Sequence, residues 1–305
     1  RAHQRPLAAG AGHAQLADPA CVGDWDGTSY STATPKCLRR VDSTKHWPEA
    51  EANEVHDDGE VWSSGLWDLR GQLGADVTDQ LVFEGHFLLG SSATYFVASQ
   101  ALITADATAN QGVNADTIRR TMIRHGLSRI ITPPAPMGPT TSLPVSVGPM
   151  RDAAGNYRNS ADEVRTITVP GATGLLLHFT RIDLATHQSC VDQHCDNLYL
   201  TNAAGDLFQV IGGTSATGMT SVAVVGDTVN LRLVSDGSQT RFGYQVDRVD
   251  VLGEVDAGVI YDGGMDPFDA GMIFDAGVRP EGGMRPDGGG RPDGGVRAEW
   301  GMRAV

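Results

Sequence analysis

The spacing of apolar residues predicts a long helix in the first quarter of the chain. From Glu54 to Gly74, apolar side chains recur three and four residues apart, which is the spacing of one helix face: Val61, Trp62, Leu66, Leu69 and Leu73. Asp57 and Asp58 precede this run and Glu60 falls in its first turn, where negative charge suits the helix dipole. His56 therefore lies in a polar turn at the helix entrance, where it faces solvent or a cleft. Gly74 supplies a stop signal.

Three further helices are predicted between residues 78 and 126. The second begins at Thr78 or Asp79 and runs through Leu81 to Leu88. A third spans Tyr95 to Ala105, with alanines that permit close helix packing. Asn114 caps a fourth over residues 115–125, and Gly126 ends it. The first half of the chain is thus predicted to be a compact set of four helices.

The pattern changes to short alternating runs after a proline-rich passage. Prolines at 133, 134, 136, 139, 144 and 149 predict a linker or an extended edge passage over 130–159, at the domain boundary. Beyond it, six apolar runs separated by turn residues predict the strands of an all-β sandwich. These runs are 164–169, 174–179, 196–200, 207–211, 228–234 and 242–251.

Both ends of the chain lack apolar periodicity. Residues 1–18 are rich in alanine and glycine and predict a poorly ordered start, and the chain opens on Arg1, as a fragment would. Over 253–305, Asp-Ala-Gly recurs at 256, 269 and 275, and Gly-Gly follows an acid at 262, 281, 287 and 293. Such composition buries too little apolar surface to offset ordering, so a disordered tail is predicted. The expected organisation is multidomain, α then β: helices over 19–129, the linker, a sandwich over 160–252 and the tail.

Charge and cysteine content narrow the classes of partner and compartment. The 305 residues carry a formal net charge of -14, which argues against nucleic acid or an anionic membrane, since both need a basic surface. No apolar run is long enough to predict a membrane span. The four cysteines form two local pairs, Cys21 with Cys37 and Cys190 with Cys195, which fits disulfides in an oxidising compartment. Three connectivities are possible, and we favour the local one.

The segment around His56 resembles a known peptidase family. It reads Val55-His56-Asp57-Asp58-Gly59-Glu60-Val61-Trp62, continued by Leu-Trp-Asp-Leu at 66–69. This resembles the segment after the zinc site in fungalysin-type metallopeptidases, relatives of thermolysin, and the resemblance covers about residues 19 to 128. It implies that His56 donates a hydrogen bond to the oxyanion of the tetrahedral intermediate, and that Glu51 takes the place of the acid that orients this histidine. Glu49, Glu54 and Asp57 are equally near in sequence, and a solvated acidic loop is the alternative.

The family's zinc-binding motif is missing from this sequence. These peptidases bind zinc through His-Glu-x-x-His on one helix and a later glutamate. None of the nine histidines begins that pattern. The resemblance therefore implies a zinc metallopeptidase whose zinc ligands, general base and N-terminal half of the catalytic domain lie upstream of residue 1, so that this chain alone is expected to be inactive.

The predicted sandwich resembles a CUB-like domain, a jelly roll of two sheets. The residues that carry the resemblance are 167–172, 179–184, 195–199, 234–238 and 242–244. Calcium-binding CUB domains take one glutamate and two aspartates from three loops. Asp196 and Asp236 fall on the aspartate positions, while Ala185 stands at the glutamate position and Asp183 is the nearest acid. Hard oxygen ligands of this kind suit calcium, although aspartates in turns are also common turn formers.

Two functions follow from these patterns. The first is a fragment of a secreted, extracellular fungalysin-like zinc endopeptidase that acts on protein or peptide substrates. The second is a non-catalytic secreted adhesion or binding protein that uses a calcium-dependent CUB-like domain. The peptidase predicts half of an active-site cleft open beside His56, whereas the adhesion protein predicts tightly bound calcium.

Overall fold

The four long helices precede the two large sheets in the chain, as predicted. A computed structural model describes residues 18–30, 32, 34, 36–253 and 260–261. A two-stranded hairpin of β1 (Cys21–Val22) and β2 (Arg39–Arg40) encloses a short helix, α1 (Gly27–Tyr30). Four longer helices and two antiparallel sheets follow. The predicted poorly ordered start and disordered tail lie almost entirely outside the described residues.

Helix α2 (Val55–Leu73) begins one residue before His56 rather than after it. The reason is the side chain of Glu54, whose Oε2 accepts the N–H groups of His56 and Asp57, both at 3.0 Å. Such a cap satisfies two of the N–H groups that the first turn leaves unpaired. His56 is therefore a residue of the first turn and not of a preceding loop. Gly74 ends the helix with a φ of 83°, as the sequence predicted.

The other three helices occur where they were predicted, with different bounds. They are α3 (Ala75–His86), α4 (Tyr95–Ala109) and α5 (Ala115–Arg124). Gly126 stops α5 at a φ of 72°. Their apolar faces meet α2 around one buried cluster, Val61, Leu69, Leu81, Leu102, Ala105, Ile118, Met122 and Leu127.

Asn114 does not cap α5 with its side chain as predicted. Its Nδ2 atom instead donates to Oδ1 of the buried Asp106 at 2.7 Å, and its N–H donates to Oδ2 at 2.9 Å. Asp106 is fully buried in the last turn of α4. A buried carboxylate is favourable only when hydrogen bonds replace the water it has lost. The asparagine therefore serves the end of α4 rather than the start of α5.

The second half of the chain is a β-sandwich, as predicted. One sheet runs in the order β10 (Val224–Val225), β5 (Gly174–Asp183), β12 (Gly243–Leu252), β3 (Thr140–Val147), with β8 (Thr214–Ser215) and β9 (Met219–Thr220) also paired to β5. The other runs β13 (Ile260–Tyr261), β4 (Asp162–Thr168), β11 (Thr228–Val234), β6 (Asn197–Asn202), β7 (Leu207–Gly212). Alternate residues of both sheets form a shared core that includes Leu177, Phe179, Leu200, Leu231 and Tyr244.

The predicted linker over 130–159 contains a strand of the sandwich. Residues 140–147 form β3, which pairs antiparallel with β12 from Leu252↔Thr140 to Val246↔Val147. Proline lacks an N–H group and is confined to edge strands, and β3 is an edge strand, so Pro144 is compatible with pairing. Of the two predicted alternatives for this passage, residues 140–147 therefore form the extended edge passage.

Both local disulfides are confirmed. Cys21 is bonded to Cys37 across the first hairpin, and Cys190 to Cys195 in the loop before β6. The described residues contain no free cysteine. No helix in the described part of the chain is both long and apolar enough to cross a membrane.

Candidate functional site

His56 is exposed at the start of α2, in the same turn as Val55, Asp58 and Gly59, which line an apolar cleft, while His56 itself is not a lining residue. Its backbone N–H is held by the Glu54 cap, and no described residue hydrogen-bonds to its imidazole ring. The cleft has a volume of about 610 Å³. Val55, one residue before the histidine, belongs to its lining. The other lining residues come from α2, the end of α3, the start of α4 and Trp47.

Aromatic rings form much of the cleft wall. Trp62 stacks on Tyr95 with ring centroids 6.4 Å apart, and Trp47 meets Phe96 edge-to-face at 5.4 Å. The Tyr95 hydroxyl donates to the backbone oxygen of Asp58 at 2.7 Å, which ties α4 to the first turns of α2. A rigid apolar wall of this kind suits large apolar side chains of a ligand.

Glu51 lies in the segment that leads into α2. Its side chain is exposed, and its N–H donates to the carbonyl of Pro48 at 3.0 Å. Among the described residues, no hydrogen bond joins Glu51 to His56. The same segment is fixed at its far end by Asp58, whose Oδ1 accepts the N–H of Ala52 at 2.7 Å.

A buried polar network lies where this segment meets the sandwich. Glu49 Oε2 is 2.6 Å from His46 Nδ1, while its Oε1 accepts from Asn197 Nδ2 at 2.8 Å and from the Tyr199 hydroxyl at 2.7 Å. All four residues are at least 92% buried. This role of Glu49 was not predicted, because no local pattern marks its contact with residues about 150 positions later. The available signal was the spacing of His46 and Glu49, three residues apart.

The partners of Glu49 determine its charge. Burial alone would raise the pKa of Glu49, but the charge of His46 and three hydrogen bonds outweigh burial and hold that pKa below its usual 4.5. Burial and the neighbouring Glu49 carboxylate raise the pKa of Tyr199 well above its usual 10.0, so its hydroxyl stays a donor.

A second, polar cleft of about 410 Å³ opens beside this network. Its walls come from the segment before α2, including Lys45 and His46, and from the sandwich, including Asp162 and Asp236. Lys45 is paired with Glu60 at 2.7 Å. The cleft therefore has both a basic and an acidic side.

The structure joins two of the three predicted calcium ligands. The N–H of Asp236 donates to Asp196 Oδ1 at 2.8 Å, and the Tyr157 hydroxyl donates to Asp196 Oδ2. Asp183 pairs instead with Arg181 at 2.8 Å. Asp196 is fully buried, and this burial raises its pKa to about 6.

Potential metal ligands come close together at one place among the described residues. One set of three potential ligand side chains there has its ligand atoms within 4.8 Å of one another: Cys190, Cys195 and Asp236. Because the two sulfurs are bonded to each other, they offer no thiolate to a metal. This set does not fit zinc, so no chemical step of a zinc ion can be assigned to the described residues.

Comparison with known proteins adds little to these observations. No family model and no curated protein matches the sequence. One similar solved structure is the CUB1-EGF-CUB2 domain of human MASP-1/3, at 13% sequence identity and a TM-score of 0.28. The match covers 36% of this chain and 42% of the other, less than half of that protein. At this TM-score, the likeness carries no conclusion about family or function.

Proposed function

We propose that the helical part of this chain is the C-terminal lobe of a secreted, fungalysin-like metalloendopeptidase. The observation that carries the proposal is the placement of His56: an exposed imidazole, free of described protein partners, in the first turn of a capped helix beside an aromatic cleft. The resemblance of residues 55–62 to the family supports it. The two disulfides suit an extracellular protein.

In this proposal, His56 stabilises negative charge while a peptide bond is broken. Attack on the peptide carbonyl places a negative charge on its oxygen, and an N–H of the imidazole donates a hydrogen bond to that oxygen. The cleft holds an apolar side chain of the substrate protein or peptide. The proposal places the zinc ligands and the general base outside the printed sequence, and it assigns no metal step to this chain.

The proposal is tested in the full-length gene product by measuring peptide hydrolysis. We expect His56→Ala to lower kcat by about 10²- to 10³-fold, the usual effect of removing one oxyanion donor, with KM changed less than about threefold. His187→Ala, in an exposed loop of the sandwich, is the matched control and should keep full activity. Absence of hydrolysis by the full-length protein, or an unchanged kcat for His56→Ala, would contradict the proposal.

A second function, calcium-dependent binding of a protein or glycan by the sandwich, is favoured by one observation. Asp196 and Asp236 are joined by a hydrogen bond at one end of the sandwich, and Asp183 is the third predicted ligand. Calcium at 1 mM should then raise the Tm of the chain by several degrees, and Asp236→Asn should abolish the rise. An equal Tm with calcium and with a chelator would exclude this function.

A further inference from the structure

We infer that Glu49 is a positioning residue, by which the sandwich holds the segment that carries His56. The inference makes the sandwich a structural support of the proposed site rather than an independent module. Only its consequence for catalysis rests on the proposed function. The anchoring itself concerns this chain as printed.

The first step is the isolation of Glu49 from water. It is 8% exposed, and its carboxylate contacts one residue of its own segment and two of strand β6. Three hydrogen-bond donors offset the cost of burying the charged carboxylate. If one donor is lost, water cannot take its place at a buried site, and the folded state is destabilised. The titratable and charged groups facing it are His46, Tyr199 and, around them, Arg129 and Asp196. Removing a β6 donor therefore weakens the hold on the whole segment.

A short segment of chain joins Glu49 to His56. On one side of Glu49, the N–H of Trp47 donates to the carbonyl of His125 at 3.1 Å. On the other side, the N–H of Ala52 donates to Asp58, and Glu54 caps α2. Six residues thus lie between Glu49 and His56, and hydrogen bonds hold this segment at both ends. A shift at Glu49 moves the start of the helix.

The hydrogen bonds of Glu49 are separate from the polar contacts that join α5 to the sandwich, although Tyr199 also packs against Ile123 of α5. Arg119 and Arg120 reach Asp206 at 2.7 and 2.9 Å, and the Arg232 guanidinium donates to the carbonyl of Arg124. These contacts involve α5 and do not involve the segment before α2. Loss of the Glu49 anchor should therefore loosen that segment without releasing α5.

Amide hydrogen exchange on the full chain tests the anchor. Tyr199→Phe removes one hydroxyl donor and keeps the ring, so exchange at the N–H groups of Trp47 and Ala50 should rise about tenfold or more. Exchange in α4 and β11 should change less than twofold. Tyr244→Phe is the matched control, because the hydroxyl of this fully buried tyrosine has no hydrogen-bond partner among the described residues. It should leave exchange at Trp47 and Ala50 unchanged.

A catalytic readout separates positioning from general stability. In the full-length protein, Tyr199→Phe should lower kcat about tenfold with KM unchanged within twofold, while Tyr244→Phe changes neither. Unchanged exchange at Trp47 and Ala50, or a uniform rise across α4 and β11, would overturn the inference. If the full-length protein hydrolyses no peptide, the proposed function fails, and the exchange result alone decides the anchor.

Discussion

At the scale of single residues, two buried carboxylates differ in the number of donors around them. Glu49 has His46, Asn197 and Tyr199, and its pKa is lowered despite burial. Asp196 accepts from Tyr157 and from one backbone N–H, and burial prevails, so its pKa rises to about 6. Glu49 is therefore charged at neutral pH, whereas Asp196 takes up a proton as the pH falls through about 6.

The raised pKa of Asp196 predicts a loss of stability as the pH rises. Between its usual pKa of 3.8 and about 6, the folded chain binds more protons at this carboxyl than the unfolded chain does. The contribution of Asp196 to the free energy of unfolding should therefore fall by about 2–3 kcal/mol from pH 4 to pH 7. Urea unfolding at several pH values measures this, with Asp196→Asn as the comparison. An identical pH slope in the two proteins would refute it.

At the scale of elements, the turn after α5 requires glycine. A Cβ on Gly126, at a φ of 72°, would lie 1.8 Å from the carbonyl oxygen of Trp47. Gly126→Ala should destabilise the chain by about 3 kcal/mol or more, measured by urea unfolding. Gly71→Ala, in α2 with nothing within 4 Å, should instead stabilise it by up to about 1 kcal/mol. Equal effects of the two substitutions would contradict this account of the turn.

The end of α4 depends on Asp106. Its two carboxylate oxygens accept hydrogen bonds from the side-chain Nδ2 and the backbone N–H of Asn114. Asp106→Ala therefore leaves two donors unpaired. We expect a loss of about 2–4 kcal/mol in the free energy of unfolding. Asp116→Ala, an exposed acid in α5 paired with Arg119, should cost less than about 0.5 kcal/mol. A cost for Asp106→Ala no greater than that of the control would show that the two bonds contribute nothing.

Sequence patterns predicted these elements where a local rule governs them. The apolar stripe of α2, the glycine stops at Gly74 and Gly126 and the nearby cysteine pairs all depend on residues close in sequence. The role of Glu49 was not predicted, because its partners on β6 follow about 150 residues later. For residues 140–147 the prolines fit both predicted alternatives, a linker and an extended edge passage, and the pairing with β12 decides for an edge strand. The position of His56 was predicted to within one turn, and its chemistry remains a prediction from resemblance.

At the scale of the whole molecule, helices and sandwich share an interface. Ile123 of α5 packs with Tyr199, Leu207 and Val234 of the sandwich. Asp206 accepts hydrogen bonds from Arg119 and Arg120. Burial would raise the pKa of Asp206, but the two arginines and Asn202 lower it overall. A carboxyl whose pKa is lower in the folded chain adds to the free energy of unfolding at pH values above its usual pKa of 3.8. That contribution is lost as the pH falls through the pKa of the folded state.

This interface predicts one cooperative unfolding transition that weakens in acid. Calorimetry at pH 7 should give a single peak for helices and sandwich, and its Tm should fall as the pH drops below about 4. Asp206→Asn should cost about 1–2 kcal/mol at pH 7 and should reduce the acid dependence. Two separate peaks in the unmodified chain at pH 7 would contradict a shared interface.

The pairing of β3 with β12 bears on how such a chain could have evolved. The strand just after the helices lies beside the last long strand of the sandwich, so the sheet is completed only when residues from both ends of the second half are present. Genetic recombination at residue 160 would transfer a sandwich without β3. The N–H and C=O groups along that edge of β12 would then be unpaired and could bind the strands of other chains. A segment that carries the complete sheet therefore begins before Thr140, and a crossover between Thr140 and residue 160 would separate β3 from β12.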